Sequence, residues 1–88
     1  MDNQYSEEIR IETGVFIKYH DGYFTFQFSY DELIVFEEIN TEVLEEFDLR
    51  SGDLIGATFN VIYKEIINDL DDDDFITFRL LKLQLLDS

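Results

Sequence analysis

The stretch Tyr19-His20-Asp21-Gly22-Tyr23-Phe24 decides the fold class of this chain. Asp-Gly suits a two-residue type I′ turn, in which both central residues take positive φ. Centring the turn there sets Tyr19 against Phe24, Ile17 against Phe26 and Val15 against Phe28, apolar pairs on one face. The other face pairs His20 with Tyr23, Lys18 with Thr25 and Phe16 with Gln27. Turn chemistry and alternation agree on one register, so a β-hairpin is predicted with Val15, Ile17, Tyr19, Phe24, Phe26 and Phe28 facing the core.

Working outward, Ile9, Ile11 and Thr13 keep the phase of Val15 and Ile17, while Arg10, Glu12 and Gly14 fill the other. The first strand therefore starts near Ile9, and Gly14 permits a bend within it. Downstream, the apolar run Leu33-Ile34-Val35-Phe36 predicts a strand buried on both faces. Asn40 or Thr41 can cap a short helix near 41–49, and Glu42 favours the positive end of its dipole. Val43, Leu44 and Phe47 form its apolar stripe, with Glu42, Glu45 and Glu46 outward. A fourth strand turns Ile55, Ala57, Phe59, Val61 and Tyr63 inward, with Gly56 as a second bend. The leucines of 75–86 would suit a helix. Two alternations separated by one slip favour a strand: Ile76, Phe78 and Leu80 hold one phase, and Leu81, Leu83 and Leu85 hold the other. A slip of that kind is what a β-bulge produces.

The chain has 88 residues, which makes one domain over 1–88. Its apolar content of 45%, with nine Phe, argues against disorder. It contains no Cys, so disulfides, thiolate metal sites and a cysteine nucleophile are excluded. Residues 1–8 are polar and acidic, unlike a signal peptide, and read as a flexible N-terminal segment. No apolar run is long enough to cross a bilayer as a helix. The cysteine-free composition places the domain in the cytoplasm as an expectation.

Twenty-one Asp and Glu stand against six Lys and Arg, a formal net charge of −15. Binding a phosphate backbone or an anionic membrane requires cations that this chain scarcely has, so neither is an expected partner. A basic protein surface is the partner such a field attracts. The candidate contacts are the loop carboxylates Asp69, Asp71, Asp72, Asp73 and Asp74, together with Glu42, Glu45 and Glu46 of the helix.

No catalytic constellation accompanies the charge. His20 flanks a tight turn with no pocket in view, and the serines sit in no nucleophile-elbow setting. No glycine loop cradles a phosphate, and no cofactor is implied. Asp69, Asp71 and Asp73 have the spacing that opens an EF-hand loop. The motif then needs glycine at its sixth position and glutamate at its twelfth, where this chain has Asp74 and Leu80.

The element order is β-β-β-α-β-β, with a long first strand carrying Gly14 and a helix between the third and fourth strands. It resembles the OB-fold, a five-stranded, partly open Greek-key barrel. The likeness covers Ile9 to Leu86 and is one of element order and glycine placement (Gly14, Gly56), without a sequence motif. It implies binding through the second and third strands and their loops, often of oligonucleotides. Phe16, Lys18, His20, Tyr23, Thr25 and Gln27 would form the outward platform, but the aspartate loop beside it would repel phosphate. The expectation is a non-catalytic protein-interaction module with an acidic surface for a basic partner. Two alternatives stand beside it: a nucleic-acid mimic that occupies a DNA- or RNA-binding protein, and a small barrel that binds a divalent metal or ligand weakly.

Overall fold

The computed structural model describes residues 6–67 and 76–86. Its strands are β1 (Ser6–His20), β2 (Tyr23–Phe28), β3 (Leu33–Phe36), β4 (Glu38–Ile39), β5 (Thr58–Ile67) and β6 (Ile76–Leu85). A 3-10 turn, Ser29–Asp31, joins β2 to β3, and one short helix, α1 (Thr41–Glu46), follows β4. The strands form one sheet in the order β3-β2-β1-β5-β6-β4, antiparallel except for the parallel β4–β6 pair. The mainly-β expectation stands. The described residues form six strands in a sheet that is not closed, so a five-stranded barrel is not confirmed. The ladder breaks at Glu37, where the chain leaves β2 and takes up β6.

The Asp21-Gly22 turn forms as expected, with both residues at positive φ. Near the turn the register is the predicted one: His20 faces Tyr23, Tyr19 faces Phe24 and Lys18 faces Thr25. Beyond Lys18 it slips. Ile17 is an extra residue, so that Phe16, not Ile17, lies opposite Phe26, and Gly14, not Val15, lies opposite Phe28. The cause is space. A Cβ on Gly14 would stand 2.7 Å from Phe28 Cε1, so that ring can lie only where the facing residue has no side chain. Gly14 thus serves as a floor rather than a bend.

The bulge turns the upstream half of β1 over. Phe16 is fully buried, Val15 and Ile17 are partly exposed, and Ile9 and Ile11 are 61% and 66% exposed on the outer face. The slip is pinned from the other side as well. Phe16 N–H donates to Ala57 O at 3.0 Å, and Gly56 N–H donates to Phe16 O at 2.8 Å. Gly56 ends the turn before β5 at φ 92°, and Ile55 in that turn is exposed rather than inward.

Other elements differ in smaller ways. Ser6–Glu8, read as part of a flexible segment, pair with Glu65–Ile67 as the start of β1. β3 buries Ile34 and Phe36 but exposes Leu33 and Val35, because it is an edge strand with one covered face. α1 ends at Glu46, short of 49. Asn40 takes the N-cap position without a side-chain cap bond. Its amide instead donates to Leu81 O at 3.3 Å and accepts from Arg79 Nε at 2.9 Å, tying the helix start to β6. β6 is a strand with the expected slip: Tyr63 faces Leu80, Ile62 faces Lys82, and Leu81 is the extra residue. Leu80 and Leu83 are buried on either side of it.

The core centres on Phe26, whose ring lies 5.2 Å from Phe16, 5.8 Å from Phe36 and 6.1 Å from Phe59 by centroids. Val43 and Leu49 cover it from the helical side, and Val61, Tyr63, Leu80 and Leu83 from β5 and β6. Phe26→Ala is expected to destabilise the domain by roughly 3–5 kcal/mol in denaturant unfolding, and a loss below about 1 kcal/mol would contradict this packing. Gly14→Ala should cost about 1–3 kcal/mol through overpacking against Phe28. Combined with Phe28→Leu it should cost less than the sum of the single losses, whereas strict additivity would show that the two residues do not touch.

Candidate functional site

The sequence-derived candidates fall into two groups. Asp69, Asp71, Asp72, Asp73 and Asp74 lie outside the described residues. Glu42, Glu45 and Glu46 are exposed on α1, as its periodicity implied. Glu42 and Glu46 border a shallow hollow of about 320 Å3 with Val43, Leu81 and Lys82, and Glu45 is not part of its lining. No ion pair among the described residues engages these three glutamates.

The outward aromatic platform is not assembled. Phe16 belongs to the core, and Thr25 is buried, which leaves Lys18, His20 and Tyr23 exposed without their expected stacking neighbour. His20 Nε2 lies 3.2 Å from Asp21 Oδ2, both groups open to solvent at the turn. Among the described residues no cluster of three His, Cys, Asp or Glu has a metal-binding arrangement.

A different acidic site emerges where β1 passes the β2–β3 connection. A groove of about 800 Å3 is floored by Gly14 and Phe28 and rimmed by Glu12, Gln27, Asp31 and Glu32. The bulge at Ile17 is what brings Glu12 to this face. Asp31 adopts φ 61°, a left-handed conformation that Asp tolerates, and its Oδ1 accepts from Gln27 Nε2 at 3.3 Å. Sequence reading missed this site because Glu12 lies far along the chain from Asp31 and Glu32. The adjacent Asp31-Glu32 pair after β2 was its one visible signal.

Glu12 and Glu32 also border a second, smaller cleft of about 250 Å3, with Arg10, Ile34, Tyr63, Glu65 and Phe78. The Tyr63 hydroxyl donates to Glu12 Oε2 at 3.1 Å, so one wall of the groove is held by the core. Arg10 Nη2 lies 2.9 Å from Glu8 Oε1 and 2.9 Å from Glu65 Oε1. The hydrogen bond to Glu65, then the charge of Glu8, raise its already high pKa. Elsewhere Lys64 pairs with Glu7 at 3.1 Å, and Arg79 with Glu38 at 3.1 Å. Three of the chain's cations are thus matched by its own carboxylates. Those of Asp31, Glu32, Glu42, Glu45 and Glu46 face solvent, an arrangement that can hold cationic groups.

Burial, and then the Glu12 carboxylate beside it, push the Tyr63 phenol well above its ordinary value of 10.0. Its proton is retained in the fold but released at that ordinary value on unfolding. Stability from the neutral, buried phenol is therefore complete below pH 10 and is lost as pH rises above it. A titration at 295 nm should show one tyrosine ionising only together with alkaline unfolding, and Tyr63→Phe should abolish that step. Ionisation of every tyrosine near pH 10, with the fold intact, would contradict the assignment.

No helix among the described residues is long and apolar enough to cross a membrane. No protein-family model, curated protein or solved structure matches this chain.

Proposed function

We propose that this chain is a non-catalytic interaction module, OB-like in form, that presents an acidic surface to a basic protein partner. The form is supported by residues 33–39, which supply β3 at one edge of the sheet and β4 at the other. A sheet whose two edges are joined by one bend is strongly curled, as in a partly open barrel. The partner class is carried by one observation. Cations such as Arg10, Lys64 and Arg79 are taken up by internal pairs, while the carboxylates of α1 are exposed and unengaged among the described residues. With a net charge of −15, the resulting field draws Lys- and Arg-rich surfaces and repels phosphate backbones and anionic bilayers. Compartment follows only by expectation, and a cytoplasmic one suits a cysteine-free domain.

Rim charges of this kind act chiefly on association rate and salt sensitivity. A labelled oligo-lysine should bind the domain with a rate that falls steeply with salt, and an oligo-glutamate should not bind. Glu42→Gln, Glu45→Gln and Glu46→Gln together should slow association by up to about tenfold and flatten the salt dependence, with thermal stability unchanged. Asp71→Asn through Asp74→Asn should act in the same direction. Rates identical to wild type in a stopped-flow salt series would remove the altered group from the binding surface, and failure of oligo-lysine to bind would overturn the proposal.

A further inference from the structure

We infer that the outer face of β3 seats an amphipathic helix of the basic partner, with its apolar stripe against Leu33, Val35 and Tyr23 and its Lys or Arg side chains at Asp31 and Glu37. This deepens the reading of the chain as a binder of basic partners and rests on it.

The apolar surface comes from the pleat of the sheet. β3 buries Ile34 and Phe36 and turns Leu33 and Val35 outward, 57% and 46% exposed. Leu33 is paired with Gln27 and Val35 with Thr25. Tyr23, two residues from Thr25 and 44% exposed, therefore lies diagonally beside Val35 on the same face. This face offers side chains and no main chain. On the side away from β2, β3 is approached by β6: the Phe36 and Phe78 ring centroids are 6.4 Å apart, and Glu38 is paired with Arg79. An occupant must satisfy its own backbone hydrogen bonds, as a helix does and an added strand does not.

Charge selects which helix. Asp31 Oδ1 accepts from Gln27 Nε2, and Gln27 is the partner of Leu33, so one carboxylate is held at the Leu33 end of the strip. Glu37, two residues beyond Val35, is exposed at the other end. Lys18, paired with Thr25, and His20, paired with Tyr23, bound the strip on its β1 side. A basic helix is thus turned along β3 rather than across the sheet. At about 3.3 Å per residue, Asp31 and Glu37 stand up to about 20 Å apart, the length of a helix of about 13 residues. A second copy seated here face to face would add its own Asp31 and Glu37 to these, with a net charge of −15 on each chain. The carboxylates that draw a basic helix therefore repel that occupant.

The probe is the acetylated peptide Lys-Arg-Gln-Leu-Ala-Gln-Leu-Leu-Ala-Gln-Leu-Ala-Gln-Lys-Arg, whose leucines form one stripe when it is helical. A second peptide keeps the composition and basic ends but spreads the leucines around the helix. A third has Glu at every basic position. In titrations of the full chain followed by methyl and aromatic NMR, the first peptide should shift the Leu33 and Val35 methyls and the Tyr23 ring. It should bind about tenfold or more tightly than either of the others. Leu33→Gln with Val35→Thr should weaken it by about tenfold, while oligo-lysine binding stays within about twofold. Asp31→Asn with Glu37→Gln should flatten its salt dependence. Equal binding of the first peptide and either control, or a bound first peptide that leaves Leu33 and Val35 unmoved, would overturn the inference. So would Leu33 and Val35 shifts that follow the concentration of the free chain, which would give the face to a second copy. Binding of oligo-lysine without binding of the first peptide would overturn it too, while leaving the basic-partner reading in place. Failure of both to bind would sink that reading as well.

Discussion

The contact on which the rest of the structure depends is the Phe28 ring against the bare Cα of Gly14. For that ring to lie flat, β1 must present its glycine to the core, and the bulge at Ile17 is the adjustment that allows this while the Asp21-Gly22 turn keeps its own register. One extra residue then decides the facing of everything upstream. It sends Phe16 into the aromatic cluster around Phe26, puts Ile9 and Ile11 outside, and brings Glu12 to the groove above Phe28. Side chains alternate with a period of two, so a single slip moves a whole strand's worth of residues to the other face. Packing and electrostatics are coupled through that slip. The Tyr63 hydroxyl that closes the core also anchors the first carboxylate of the groove.

The charge distribution makes sense only in relation to the sheet. A small domain with a net charge of −15 repels itself, and internal pairs through Arg10, Lys64 and Arg79 relieve part of that on the strands, where backbones are close together. Among the described residues, carboxylates outside those pairs include those of the helix, of the β2–β3 connection and around β3. They can meet a partner there without disturbing the core. The same excess of charge repels other copies of the chain.

Much of the fold was legible before the structure, and the failures have a common cause. At Leu80-Leu81 two adjacent apolar residues sit between two clean alternations, so the slip in β6 shows in the sequence itself. At Val15-Phe16-Ile17 all three residues are apolar, and either phase satisfies the pattern. What breaks the tie is the contact of Gly14 with Phe28, which depends on three-dimensional packing. Leu33 and Val35 misled for a related reason: an apolar run does not say whether a second layer covers it, and β3 turned out to be an edge. The helix glutamates were legible because a stripe of Val43, Leu44 and Phe47 leaves them only one way to face. The groove was not, because Glu12 reaches it only through the bulge and meets Asp31 and Glu32 only through the sheet.

β1 is shared between a neighbour two residues away and one much farther along the chain, since Ser6 to Val15 pair with Thr58 to Ile67. Hairpins close in microseconds, whereas joining distant segments waits on loop closure and slows with contact order. Without β5, the edge of β1 from Ser6 to Val15, with Ile9 and Ile11 on it, has no hydrogen-bonding neighbour. Unpaired strand edges are templates for aggregation. The excess of negative charge acts at that moment too. A net charge of −15 repels a second copy from that edge, so the composition opposes self-association before the sheet is complete as well as after.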